Sequence, residues 1–278
     1  VWGVPMIIFI LGKGIYLTIR LGFVQITKIK DIWNNTIKKM FKKSKGKGLI
    51  SSGEAALISL GEIVGSGNIA GVATAIAAGG PGAIFWMWIA AFFGMATKFA
   101  EITLGIVYRK VFNKEGNVKG GPMYYLRDGV KSKFLAGFYA VMSILSYIVI
   151  VAMVDTNTIV STVTAKFNVP NYVIGIALMI IVGVIIFGGI KRLGKFSKNF
   201  VPVMGIFYVI SGLVVIFSNL DLVGPAFSTI IKAAFTPQAA AGGFAGASIA
   251  QIIRYGFARG IYSNEAGLGT AAYAHSAA

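Results

Sequence analysis

Cysteine is absent, so no disulfide can staple this chain and cysteine usage gives no sign of its redox compartment. Charge is scarce as well. Only 13% of residues are Asp, Glu, Lys or Arg, about half the share in an ordinary soluble domain. Acidic side chains are the scarcer kind, 9 against 26 basic ones. There is a single histidine, His275. So few charges cannot cover a water-facing surface. With 56% hydrophobic residues and a mean hydropathy of +0.77, the chain reads as an integral membrane protein. Strand-type alternation is also missing, which makes the class all-α. Glycine is plentiful: the 36 glycines let membrane helices approach one another closely.

Seven apolar segments follow, at about 2–22, 54–78, 82–108, 134–164, 171–190, 199–219 and 250–278. A span needs about 20 residues. The basic residues orient them. Nine Lys or Arg fall in 20–53, seven in 109–133 and four in 191–198. The alternate connections hold only Lys166 and Lys232. Cytoplasmic loops carry the positive excess, so 23–53, 109–133 and 191–198 are expected inside and the N-terminus outside. The net charge of +17 therefore reports topology, and nucleic acid is not an expected partner. Lys13 lies inside the first segment, where it can face a neighbouring helix.

The second segment is organised around Gly61 to Ala78. Gly65-Ser66-Gly67-Asn68 puts two glycines, a hydroxyl and an amide inside an apolar run. Glycine costs about 1 kcal/mol relative to alanine within a helix, and broken backbone at membrane depth is tolerated only where it is buried or lines a cavity. The groups so freed can hold a small ion or a charged substrate. Ser51 and Glu54 have capping-box spacing at the start of this segment, and Pro81 suits the start of the next. Phe85, Trp86 and Trp88 are placed at the outer interface, where aromatic belts sit. Asp155 is an intramembrane carboxylate, a functional-site candidate by type; a structural hydrogen-bond partner for another helix is the alternative. Pro202 is expected in the first turn of the sixth segment, and Thr236-Pro237-Gln238 suggests a short surface or re-entrant helix within 220–249.

The last segment repeats the break. Asn264, Glu265 and then Gly267-Leu268-Gly269-Thr270 interrupt another apolar run. The first copy is expected to run inside to outside and the second outside to inside. Two interrupted helices in opposite orientation are the pattern of an inverted-repeat transporter. No enzyme is expected: an intramembrane hydrolase would need a pair such as Ser66 and His275, and neither sits in a hydrolase motif. A channel would need a continuous polar or charged pore ring.

Three stretches resemble the alanine/glycine:cation symporter family, also called sodium:alanine symporters. They are Val64-Gly65-Ser66-Gly67-Asn68-Ile69-Ala70-Gly71-Val72-Ala73, the run Gly79-Gly80-Pro81-Gly82-Ala83-Ile84-Phe85-Trp86-Met87-Trp88 through Gly94, and Arg259-Gly260-Ile261-Tyr262-Ser263-Asn264-Glu265-Ala266-Gly267. The resemblance implies a five-plus-five inverted-repeat transporter fold with discontinuous first helices and an extra N-terminal helix. Residues 1–22 would be that extra helix and 23–53 a basic cytoplasmic linker. The first five-helix repeat would be 54–219, an outer connecting segment 220–249, and the start of the second repeat 250–278. Family members are longer, so the resemblance also implies a C-terminally truncated chain whose second repeat is mostly missing.

The implied activity is sodium-coupled symport of small neutral amino acids, alanine or glycine, across the plasma (inner) membrane by alternating access. Na⁺ would be the coupling ion, and the lipid bilayer and the amino acid the partners. By the same match, the amides of Ser66 and Gly67, beside Gly65, would receive the substrate carboxylate. The Asn68 side chain and the Ile63 carbonyl would touch one Na⁺, and the carbonyls of Gly61 and Val64 a second. Asn264, Gly267, Gly269 and Thr270 would close the substrate site from the other side. Two positions depart from the family pattern: Asp155 stands where glutamine is usual, and Glu62 where a small or hydroxyl residue is common. Asp155 would face a substrate amine or a cation, which leaves open a proton- or other cation-coupled transporter of a different amino acid, glutamine or similar.

Overall fold

A computed structural model describes residues 3–35, 49–65, 67–111, 118–237 and 248–278. Helices dominate it. Three of them are long and apolar enough to cross a membrane: α6 (Gly82–Val107), the continuous helix Lys133–Phe167 and α11 (Gly189–Phe217). A fourth span results if α4 (Ser52–Ile63) and α5 (Val72–Gly79) are two halves of one crossing. The 35-residue helix contains a π-helical turn at Ser146–Val151, which divides it into α8 (Lys133–Leu145) and α9 (Ala152–Phe167). An apolar α10 (Asn171–Ile186) and α12 (Leu220–Ala234) accompany them. The N-terminal helix α1 (Val4–Arg20) is followed by two short helices, α2 (Val24–Thr27) and α3 (Ile29–Asn35), at the start of the basic linker.

Several sequence expectations shift. Residues 191–198, expected as a loop, are the first turns of α11. Pro202 therefore lies inside that helix rather than in its first turn, where it removes one main-chain hydrogen bond. Residues 220–249, expected as an outer connecting segment, are helical earlier than expected, at 220–234, before Thr236-Pro237. The Ala/Gly-rich run 238–247 lies outside the described residues. The all-α class holds apart from a minimal antiparallel hairpin, β1 (Lys110–Val111) with β2 (Val118–Lys119), too short to leave an alternation signal.

The chain divides into two compact units, and α4, α6 and α11 each run from one into the other. The first comprises 1–38, 62–100 and 201–269. Its centre is α13 (Ile249–Asn264), packed on α5 and on the first part of α6. Glycine makes this packing possible. A Cβ on Gly256 would stand 2.5 Å from Trp86 Cβ and 2.6 Å from the Ala83 carbonyl oxygen. One on Gly260 would stand 2.9 Å from Ala90 Cβ. These two glycines, four apart on one face, form a small-residue stripe of the kind that lets helices approach in a membrane. On the other side of α13, a Cβ on Gly79 would press on Tyr255 at 3.1 Å. Trp86 does more than mark the interface. Its Nε1 donates to the Ala234 carbonyl at 3.1 Å, and its ring meets Phe85, Phe235 and Phe257.

The second unit comprises 39–61, 101–200 and 270–278. Here α14 (Thr270–Ser276) packs against the start of α4 through Ile50, Ala55, Ile58, Ala274 and Ala277. Leu49 N–H donates to the Ala277 carbonyl at 2.9 Å, and Arg109 donates to the carbonyls of Ser276 and Ala278. The hairpin is tied to α7 (Pro122–Asp128) by Asp128, which accepts from Arg127 and pairs with Lys110 at 3.1 Å. These partners hold the Asp128 carboxyl down at about 2.

The capping box forms as the sequence expects. Ser51 N–H donates to Glu54 Oε2 at 2.8 Å, and Glu54 N–H donates to Ser51 Oγ at 3.1 Å. Both bonds satisfy donors that the helix start leaves orphaned. Ser51→Ala is expected to lower stability by about 1 kcal/mol, read as a small drop in melting temperature with the helical circular dichroism unchanged. A melting temperature identical to the parent's would remove this role.

Candidate functional site

Both interruptions expected from the sequence are present. The first begins at the end of α4. Val64 and Gly65 bend away from the helix axis, and Gly67–Gly71 then wind as a π-helical turn into α5. Ser66 lies outside the described residues, so the amide expected there has no described position. Inside the bend, the Ile63 carbonyl accepts from Gly65 N–H at 3.0 Å and from the Asn68 side-chain nitrogen. Asn68 N–H donates in turn to the Gly65 carbonyl at 3.1 Å. The bend is thus closed by one side chain and by backbone bonds that no regular helix makes. π-Helical turns occur frequently at functional sites.

Asn68 also reaches the second interrupted helix. Its Oδ1 accepts a hydrogen bond from Ser263 Oγ, in the last turn of α13. The close approach needs Gly67, which is buried: a Cβ there would stand 3.2 Å from the Tyr262 ring and 3.3 Å from Ser263 Cα. Neither Tyr262 nor Ser263 stands out as a site residue in the sequence. Their place in the arrangement depends on a contact across 195 positions.

The second break runs from Glu265 to Gly269. Glu265 caps α13 in the left-handed region at φ 54°, with its N–H on the Ile261 carbonyl at 2.8 Å. Gly267 at φ 99° and Gly269 at φ 81° follow. An L side chain at either position would be strained, which explains the spacing of these glycines. Asn264 Oδ1 accepts from Ala266 N–H at 2.9 Å. Its Nδ2 is buried and has no hydrogen-bond partner among the described residues. Leaving such a donor unpaired costs about 1–3 kcal/mol, so it is available to an incoming acceptor. It lies beside Gly94, where a Cβ would stand 3.2 Å away.

The expected site residues divide between the two units. Ile63, Val64, Gly65, Gly67, Asn68, Asn264, Gly267 and Gly269 belong to the first, and within it Asn68 joins the two interrupted helices. Gly61, Asp155 and Thr270 belong to the second. Thr270 is buried in the first turn of α14. Asp155 is half-buried in the first turn of α9, just past the π-helical turn that ends at Val151. That second π turn carries no sequence signal, because Ser146–Val151 is as apolar as its surroundings. Glu62 lies within electrostatic reach of Glu265 and Lys98, all three in the first unit.

The chemistry of the first break is oxygen chemistry. The Ile63 carbonyl, Asn68 Oδ1 and Ser263 Oγ come together without a charged ligand. No group of His, Cys, Asp or Glu suited to a metal ion occurs among the described residues. Neutral oxygen donors suit a hard cation of low charge rather than a transition metal. Oxygens of this kind would suit Na⁺.

The family model described as the sodium:alanine symporter family matches residues 1–278. A transporter of Haemophilus influenzae is 45% identical over 280 residues, covering 100% of this chain and 60% of its own length. The sodium/alanine symporter AgcS of Methanococcus maripaludis is 44% identical over 285 residues, covering 100% of this chain and 61% of its own. The transporter YflA of Bacillus subtilis is 42% identical over 277 residues, covering 100% and 58%. The chain thus spans about three fifths of the length of these relatives.

Proposed function

The chain belongs to the sodium:alanine symporter family, and from that premise we propose that the full-length protein carries alanine or glycine across the plasma membrane together with Na⁺. The observation that carries the proposal is the Asn68 side chain, which joins the bend at Ile63 to Ser263 at the end of α13. One side chain thereby senses both interrupted helices. In this reading Na⁺ takes the oxygens of Ile63 and Asn68, a second Na⁺ takes the carbonyls of Gly61 and Val64, and the amides around Gly65, Ser66 and Gly67 receive the substrate carboxylate. Freed N–H groups and the helix dipole favour an anion at the start of the outer half-helix. Asn264, whose Nδ2 has no partner among the described residues, would close the substrate site with Gly267, Gly269 and Thr270.

The architecture that goes with this reading is the five-plus-five inverted repeat, with 1–22 as an extra helix, 23–53 as a cytoplasmic linker, 54–219 as the first repeat, 220–249 as the outer connection and 250–278 as the start of the second. The N-terminus is outside. Transport proceeds by alternating access, with ion and substrate each raising the other's affinity.

Asp155 favours a second reading, in which the substrate carries a further polar group or the coupling ion is a proton. Asp155→Gln distinguishes them. Uptake by the full-length variant, assayed against a panel of competing amino acids and across pH 5–8, is expected to persist with a shifted substrate preference or pH profile. An unchanged panel and pH curve would make Asp155 a structural residue only.

A further inference from the structure

Lys13 is the tenth of the seventeen residues of α1, far from either end of an apolar helix. Its side chain reaches the second break: Nζ stands 3.3 Å from the point that a Cβ on Gly267 would occupy. α1 is held in this register by close packing. A Cβ on Gly14 is already 3.0 Å from Phe93 Cβ and 3.1 Å from the Phe93 carbonyl oxygen, and Ile7 is buried with Ala90 and Phe257. This packing sets the position along α1 from which the Lys13 side chain extends.

No salt bridge of Lys13 occurs among the described residues. What Lys13 approaches instead is Gly267, in the turn that follows α13. A helix C-terminus carries orphan carbonyls and a partial negative charge. Glu265 N–H satisfies the Ile261 carbonyl and Leu268 N–H that of Glu265, while among the described residues no backbone N–H of the turn donates to the main-chain carbonyls of Ser263 and Asn264.

We propose that Lys13 is a tethered cation: its ammonium supplies the positive charge at the second break, so that this break takes no mobile cation while Lys13 is present. The inference rests on reading the two breaks as ion and substrate sites. It makes Lys13 a positioning residue that sets how many Na⁺ ions the protein binds. Removing the charge exposes the helix-end carbonyls to one additional hard monovalent cation.

The test is equilibrium binding of ²²Na⁺ to the purified full-length protein without amino acid, for the parent, Lys13→Met and Lys13→Arg. Lys13→Met is expected to bind one Na⁺ more per protein than the parent, and Lys13→Arg the same number as the parent. Equal binding by the parent and Lys13→Met would overturn the proposal. Should Lys13→Met fail to elute as a single species, Lys13→Gln serves with the same criterion. A parent that binds no Na⁺ would instead remove the sodium-coupled reading of the first break, and a gain of one Na⁺ in Lys13→Met would still support the tethered cation.

Discussion

Asn68→Ala in the full-length protein is expected to lower Na⁺-driven alanine uptake by about a hundredfold or more while leaving a folded, monodisperse protein. Alanine removes the donor to the Ile63 carbonyl and the acceptor for Ser263 Oγ in one step. Leaving a desolvated polar group without its partner costs about 1–3 kcal/mol, and each 1.4 kcal/mol is about tenfold in rate or affinity. Two such losses, with a proposed ion ligand removed as well, account for the expected factor. The fold should survive, because Ile63 keeps its backbone bond from Gly65 N–H. Ser263→Ala removes only one of the two side-chain bonds and is expected to cost about tenfold. Radiolabelled uptake into proteoliposomes measures both. Uptake by Asn68→Ala within a few fold of the parent would separate Asn68 from the ion and substrate site.

The second large effect is expected from the stripe that seats α13 on α6. Gly256→Val puts its new Cβ into Trp86 Cβ and the Ala83 carbonyl, atoms of a packed helix that cannot rotate away. Gly260→Val meets Ala90 Cβ and Met87 Cα, the latter at 3.2 Å. Over-packing of this kind costs about 1–3 kcal/mol and at times more. Either variant should lower the apparent melting temperature by roughly 4–10 °C. Transport should fall further than stability alone explains. α13 carries Tyr262, Ser263 and Asn264, and any outward shift draws Ser263 away from Asn68. Gly212→Ala is the control, since a Cβ there meets nothing within 4 Å. It should be neutral or slightly stabilising. If Gly256→Val melts and transports like Gly212→Ala, the close packing of α13 on α6 is wrong.

Much of this arrangement is legible in the sequence, for physical reasons that can be named. The two breaks show because glycine pairs and polar residues have no place in the middle of a buried helix unless the helix stops there. Gly267 and Gly269 adopt the left-handed conformations that only glycine takes readily. The Ser51–Glu54 box shows because capping is local in sequence. Other features are not written locally. The basic run 191–198 looks like a loop, yet Lys and Arg are good helix formers and the apolar stretch beyond carries the helix back to Gly189. The roles of Tyr262 and Ser263 depend on where α13 lies against the π turn. The reach of Lys13 depends on how Gly14 seats α1 on α6. Such contacts belong to packing between distant segments, and no single window of residues contains them.

In the proposed reading, the first break couples an amino acid to Na⁺. The most direct test is uptake of labelled alanine by the full-length protein in proteoliposomes under an inward Na⁺ gradient, with an equal choline gradient alongside. The expected result is saturable accumulation above equilibrium with Na⁺, its loss in choline, and its loss in Asn68→Ala. Accumulation of equal size in choline and Na⁺ would contradict it.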